Sequence, residues 1–284
     1  MSPQCRDNQS GILVENKTRM TKFYRIRIRK ISVICSLFLA LSAVAQDMVA
    51  VDRPSVSMFT LDMGYASIHD SYLTPITYDG MDLALGFEAM RPAKRQWLWQ
   101  LQVGADYNHV ENDARNNTLH KLMGDITFDM QRYWRRALAH RVDLSVGPMT
   151  QLRAGILYNP AASNNTVTVR AHWNVGVTGM ASLDTRFWRL PVTLRYQAQL
   201  PVLGVFFAPE YDESYYEIYL GNHRNLGHLG WWGNRLDMTN YVGADLHLGK
   251  TTLRIGYRSR LEHWSVSGLK VHDVTHSLVL GIGK

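Results

Sequence analysis

His263-Trp264-Ser265 sets an imidazole and a hydroxyl two residues apart. On an extended strand these two positions share a face, so the imidazole can draw off the hydroxyl proton and make the oxygen a nucleophile towards an ester. A working triad needs a third group that orients the imidazole. Asp273 is out of phase unless a bulge intervenes, and Asn240 on the preceding strand is a poor substitute. In a chain with 11 histidines such a pair also arises by chance, and the polar tip of a strand is the leading reading. A second group is electrostatic: Asp82, Glu88, Asp106, Asp125, Asp129, Arg170, Arg195, Asp237, Asp245, Arg254 and Arg258 all fall on the polar side of alternating segments. Enclosed together they must pair, because a buried charge without a partner costs roughly several kcal/mol. The same set around open water would line a narrow polar pore.

A third group is aromatic. Residues 201–235 carry Phe206, Phe207, Tyr211, Tyr215, Tyr216, Tyr219, Trp231 and Trp232 beside Glu210, Asp212, Glu213 and Glu217. A segment this long and aromatic is expected to fold as a plug or packed lid, or to present its rings to a glycan, lipid or protein. His223, His228, His69 and His109 have no spacing of a compact metal site, so they read as surface histidines, and no metal or cofactor is expected.

The elements that must position these groups are strands. Met81, Leu83, Leu85, Phe87 and Ala89 alternate with Asp82, Ala84, Gly86 and Glu88, the two-residue period of a strand with one apolar and one polar face. The pattern recurs through ten segments, near 55–67, 80–90, 97–107, 118–134, 141–151, 166–183, 189–200, 235–248, 251–264 and 271–283. Segment 215–220 could supply a further hairpin and raise the count to twelve. Several segments reach ten residues, longer than the five or six typical of soluble strands and enough for an oblique bilayer crossing. Connections alternate, with tight ones at 91–96, 135–141, 184–189 and 249–251 and longer ones at 67–80, 108–117, 159–165 and 201–234. Trp97, Trp99, Trp134 and Trp188 gather near the tight turns, and Tyr65 and Tyr107 near the long loops, as interfacial girdles do. The expected fold is all-β: a transmembrane, antiparallel, up-and-down barrel.

The start of the chain supplies the compartment. From Met20, a basic stretch (Lys22, Arg25, Arg27, Arg29, Lys30), an apolar run 31–41 and Ala43-Val44-Ala45 read as a signal peptide over 20–45. Residues 1–19 read as an over-extended start, leaving 46–284 as the barrel domain. Within 46–284 there are 23 basic and 22 acidic residues, so the basic balance of the whole chain disappears and with it the case for a nucleic-acid partner. Both cysteines, Cys5 and Cys35, precede that domain.

The arrangement, with 206–217 (Phe-Phe-Ala-Pro-Glu-Tyr-Asp-Glu-Ser-Tyr-Tyr-Glu) and Thr275-His276-Ser277, resembles a Bacteroidetes family of secreted outer-membrane proteins of unknown function. The likeness covers most of 46–284 and implies the outer membrane of a Gram-negative bacterium without implying an activity. The last strand lacks the terminal aromatic common in such proteins. An outward His263 and Ser265 also look like the lipid-facing pair of outer-membrane phospholipases and lipid A deacylases, but the Asn that follows the Ser there is missing. The leading expectation is a non-enzymatic barrel, its lumen plugged or narrow, its outer loop binding a ligand or partner amid outer-membrane lipid. A lipid esterase or deacylase and a narrow, porin-like passive pore are the alternatives, and a soluble periplasmic β-protein is a third.

Overall fold

The computed structural model describes residues 55–94, 96–138, 142–162, 166–209, 221 and 226–284. The leader, the extended start and the proposed 215–220 hairpin lie outside the described residues. Eleven strands follow in order: β1 Val56–Asp70, β2 Thr77–Pro92, β3 Trp97–Asn112, β4 Thr118–Leu138, β5 Val142–Tyr158, β6 Val167–Phe187, β7 Leu190–Phe207, β8 Gly227–Trp231, β9 Arg235–Leu248, β10 Thr251–Val266 and β11 Leu269–Gly283. All pair antiparallel with a neighbour, and the β6–β7 and β1–β11 pairings close a ten-stranded barrel. Ser57 and Lys284 exchange backbone hydrogen bonds at 2.7 and 2.8 Å across that last seam. Closure leaves the barrel no free edge, so apart from local bulges the backbone groups pair within the sheet.

The eleventh strand is not a stave of its own. β7 pairs with β9 over Val192–Gln199 and with β8 over Leu203–Phe207. β8 therefore continues the line of β9 past the short Trp232-Gly233-Asn234 turn. The expectation of a long loop starting at Pro201 needs correction here. Proline donates no hydrogen bond and looks like a terminus, but the register shift beside Gly176 makes Pro201-Val202 a bulge and the strand runs on. One extra residue exchanges the two faces, so Phe206 turns inward although Arg195, Gln197 and Gln199 had occupied the odd inward positions.

Other strands also outlast the expected ranges. β1 reaches Asp70, β3 Asn112 and β5 Tyr158, which shortens the supposed long loops to 71–76 and 113–117 on one side of the barrel. Polar side chains such as Asp79, His109 and Glu111 interrupt the hydropathy pattern without interrupting the backbone ladder that holds them. At the opposite extreme, Ser267 and Gly268 both have positive φ, the signature of the two-residue hairpin turn that joins β10 to β11. We call the end carrying the chain terminus Lys284 the terminal end, and the other the far end.

The two faces of each strand are sharply different. Outward side chains form an apolar belt, with Phe59 65%, Leu85 64%, Ile255 55% and Leu278 64% exposed and similar residues on all the barrel staves. Water-soluble monomers do not carry a continuous apolar belt, whereas acyl chains solvate one without penalty. Barrel strands of 14 to 21 residues exceed the roughly 9 to 11 needed to cross the hydrocarbon, so their ends stand clear of it. Trp97, Trp134 and Trp188 ring the terminal end, and Tyr65, Tyr107 and Tyr158 the far end.

Candidate functional site

The inward face is where the chemistry-bearing residues meet. Its first level, at the terminal end, is apolar: Met90, Leu98 and Met180 are buried against one another with Val56 and Tyr133 beside them. Above them lies a four-charge lock. Glu88 on β2 accepts hydrogen bonds from Arg195 on β7 at 2.6 Å and from Arg254 on β10, reaching across the lumen. Asp245 on β9 receives Arg254 Nε at 2.7 Å and Nη2 at 2.8 Å, and Arg195 at 3.3 Å. Two carboxylates and two guanidiniums thus cancel, each bonded to both opposite members. Gln100 donates to Glu88 at 3.1 Å, Gln197 donates to Gln100 at 2.7 Å, and Gln131 donates to Asp129 at 2.7 Å.

The middle level is wetter. Small inward residues on β2 and β3, Ala84, Gly86 and Gly104, leave a cavity of about 50 Å³ facing Gln102, Gln151 and Thr239 among others. That is room for about four waters. Tyr241 crosses beneath it: its hydroxyl lies 2.1 Å from where a Cβ on Gly243 would stand and 2.7 Å from one on Gly256, so the ring needs both glycines. Arg254 and Arg258 lie 5.5 and 5.8 Å from the ring centroid, as cation–π partners.

A second charge network fills the far half. Arg153 on β5 donates to Asp106 at 2.7 Å and lies 3.1 Å from Glu262 and 3.8 Å from Asp125. Arg260 reaches Asp106 at 3.0 Å and Asp125 at 3.6 Å. Lys121 pairs with Asp273, Arg170 with Asp70 and Arg258 with Asp62. Asp237 receives Arg235 and Asn174, each at 2.8 Å, and Asp82 receives Asn108 at 2.5 Å and the Ser277 hydroxyl. Apolar side chains then close the far mouth in two groups. Ala66, Ile68, Tyr78, Val110, Leu119 and Leu157 pack on one side, and Phe206, Ala208, Trp264, Val266 and Val271 on the other.

All eleven charges singled out by alternation point inward, and each has a polar partner. The pattern missed Asp62, Asp70, Lys121, Arg153, Arg235, Arg260, Glu262 and Asp273 as members of the charge set. Arg260 and Glu262 continue the two-residue step from Arg254 and Arg258 and were available to that argument. Arg153 sits on β5, where Gly147-Pro148 obscures the alternation, and Arg235 stood at the supposed end of a loop.

The aromatic segment divides. Tyr211, Tyr215, Tyr216 and Tyr219 lie outside the described residues, as does His223. Phe206 is a lumen cap, 3% exposed, with Arg235 above its ring at 5.0 Å. Phe207 is half-buried on the other face, while Trp231 and Trp232 are each 56% exposed. Trp232 donates to the Pro201 carbonyl at 2.8 Å. His228 bonds the Ala208 carbonyl at 2.8 Å.

His263 and Ser265 both point outward near the far end. His263 Nδ1 lies 3.0 Å from the Val271 carbonyl, and its ring stacks on His272 at 4.1 Å between centroids. His272 pairs in register with His69 on its other side, so three histidines cross three adjacent strands. Asp273 faces the lumen and holds Lys121, and Asn240 accepts from the Tyr196 hydroxyl at 3.0 Å. Neither stands beside the His263 imidazole. Two strands away from β1 a second outward pair, His109 and His120, is also directly in register, a partnership that sequence spacing did not suggest.

The fold can be set beside solved structures. The chain is similar to the outer-membrane protease OmpT of Escherichia coli at 5% identity, covering 84% of this chain and 98% of that one with a TM-score of 0.47. The transport unit of the Escherichia coli autotransporter AIDA-I is similar at 7% identity over 84% and 93%, TM-score 0.38. A FadL homologue of Pseudomonas aeruginosa is similar at 8% identity over 81% and 90%, TM-score 0.32. No curated protein matches the chain. One family model does match, over residues 30–284, which is nearly the whole chain. The chain belongs to the family described as protein of unknown function (DUF3316).

Proposed function

We propose that this chain is a non-enzymatic outer-membrane barrel of a Gram-negative bacterium, sealed along its axis, that meets its ligand or partner with the outer surface of its far end. One observation carries the reading: among the described residues, buried apolar side chains gather near both ends of the lumen and paired charges occupy the space between them, around a cavity of about 50 Å³. A solute path through it would have to break several buried ion pairs at once, each costly to separate in a low-dielectric interior. This favours a sealed barrel over the narrow-pore alternative. Exposed Trp231 and Trp232 at the far end offer rings of the kind that bind glycans, lipids or protein loops.

The lipid-hydrolase alternative finds less support. His263 is engaged by a backbone carbonyl and by His272, and among the described residues no carboxylate or carboxamide is bonded to it in the orienting position. Two assays on the reconstituted protein test the proposal together. Liposomes containing it are expected to retain small polar solutes as well as empty liposomes do, and steady release would replace the sealed reading with the pore. Mixed micelles of phospholipid are expected to show no acyl release; release that vanishes in Ser265→Ala would replace it with the hydrolase.

A further inference from the structure

We propose that His109 and His120 form a two-nitrogen site for a divalent transition-metal ion, of the zinc or nickel class, on the outer surface of the far end. Both side chains point outward, His109 three residues from the end of β3 and His120 in the third position of β4. Their Nδ1 atoms are 3.4 Å apart. Two imidazole nitrogens bound to one zinc ion at about 2.0–2.1 Å in tetrahedral geometry are separated by about 3.3–3.4 Å, the same spacing.

The neighbours decide where the protons are. Glu111 places Oε1 3.8 Å from His109 Nε2, so its negative charge favours a proton on that nitrogen and leaves Nδ1 with a lone pair. The Tyr107 hydroxyl lies 2.8 Å from His120 Nδ1, and a phenol donates readily to an imidazole lone pair. The His120 lone pair is then taken by Tyr107, and the His109 lone pair lies 3.4 Å from the same nitrogen. A cation replaces the Tyr107 proton at His120 and accepts both lone pairs; imidazole nitrogen is a preferred ligand for zinc, nickel and copper. On binding, each Nδ1 gives its lone pair to the ion and the Tyr107 hydroxyl turns away from His120.

The site is also held in place. The His120 ring lies between Tyr107, at 6.1 Å, and Tyr158, at 5.9 Å. Glu111 and His109 are about two-fifths exposed, so an ion can enter from water. Among the described residues no three His, Cys, Asp or Glu side chains converge as a metal site, so water completes the coordination. The His263–His272 pair differs: its rings are stacked, with faces rather than nitrogens apposed, and serves as an internal control.

The test is zinc titration by calorimetry on untagged, chelator-stripped full-length protein folded in detergent near neutral pH. One equivalent is expected to bind. His109→Ala and His120→Ala should each weaken it by at least tenfold, Glu111→Gln by about tenfold as outer-shell changes do, and His263→Ala should leave it unchanged. Retarded gel mobility before boiling checks that each variant is still a barrel. No saturable binding below millimolar zinc in the unaltered protein, or equal binding by His109→Ala and His120→Ala, overturns the proposal.

Discussion

The terminal and far halves of the lumen solve the same problem, enclosing charge, in different ways. At the terminal side, both carboxylate oxygens of Glu88 and of Asp245, all three guanidinium nitrogens of Arg254 and both Nη atoms of Arg195 have protein hydrogen-bond partners, while the neighbouring Asp129 keeps one buried oxygen, Oδ2, without one. In the far half, Asp106 Oδ2, Arg153 Nε and Nη1, Arg260 Nε, Asp62 Oδ1 and Asp237 Oδ1 are buried without a directed protein partner. The cavity lies between the two networks, lined by Glu88 and Arg254 of the first and by Asp125, Arg258 and Arg260 of the second. The first arrangement is a lock in which each charge is bonded to two others. The second is a looser lining in which several cations share several anions. The comparison teaches that net neutrality alone does not make a rigid plug; directed bonds to every lone pair do.

The largest effect is expected from breaking the lock. Glu88→Ala leaves two buried guanidiniums to share Asp245 alone and should cost about 3–5 kcal/mol, read as a lower temperature for loss of the compact, gel-retarded form. Phe206→Ala removes a ring from the far cap and should cost about 2–4 kcal/mol by the usual scale for buried aromatic truncation, reduced because the cap is close to solvent. Liposome leakage should remain low, since the lock is untouched. Arg153→Met should cost less, about 1–3 kcal/mol, because Arg260 and Lys121 remain near its carboxylates. A loss with Arg153→Met as great as with Glu88→Ala would erase the distinction between the halves. The smallest effect belongs to Ser265→Ala, outward and exchanged between small side chains: within about 0.5 kcal/mol in unfolding and no change in any binding activity.

The exterior was the most legible part of the fold. A two-residue period with an apolar face reveals strands whatever their partners, and ten alternating segments became ten staves because closure demands the same period throughout. What the period could not show was where strands end. Asp79, His109 and Glu111 look like loop residues, but their ladder bonds do not depend on side chain. Pro201 was misleading for the opposite reason: a bulge accommodates it and exchanges the two faces, which is why Phe206 is a lumen cap rather than a loop aromatic. Within the candidate site, inward direction followed from phase, but pairing did not. Arg195 meets a Glu more than a hundred positions earlier in the chain, at a separation of 107. Such contacts follow from barrel closure and stagger, which no local pattern records. The His109–His120 partnership likewise depends on hairpin register.

The central claim is that the apolar face of each strand lies in lipid while the polar face is enclosed. Because Cys5 and Cys35 are the only native cysteines, and both precede the barrel, single cysteines can be placed in a Cys5→Ser, Cys35→Ser background. The measurement is the labelling rate in liposomes by a charged, water-soluble maleimide at Leu85→Cys, Ile126→Cys and Ile255→Cys, against Trp231→Cys at the far end. The account predicts that the three belt positions stay unlabelled while Trp231→Cys reacts rapidly, and that brominated lipid quenches a fluorophore attached to the belt positions after unfolding and refolding. Rapid labelling of all four from water would contradict it.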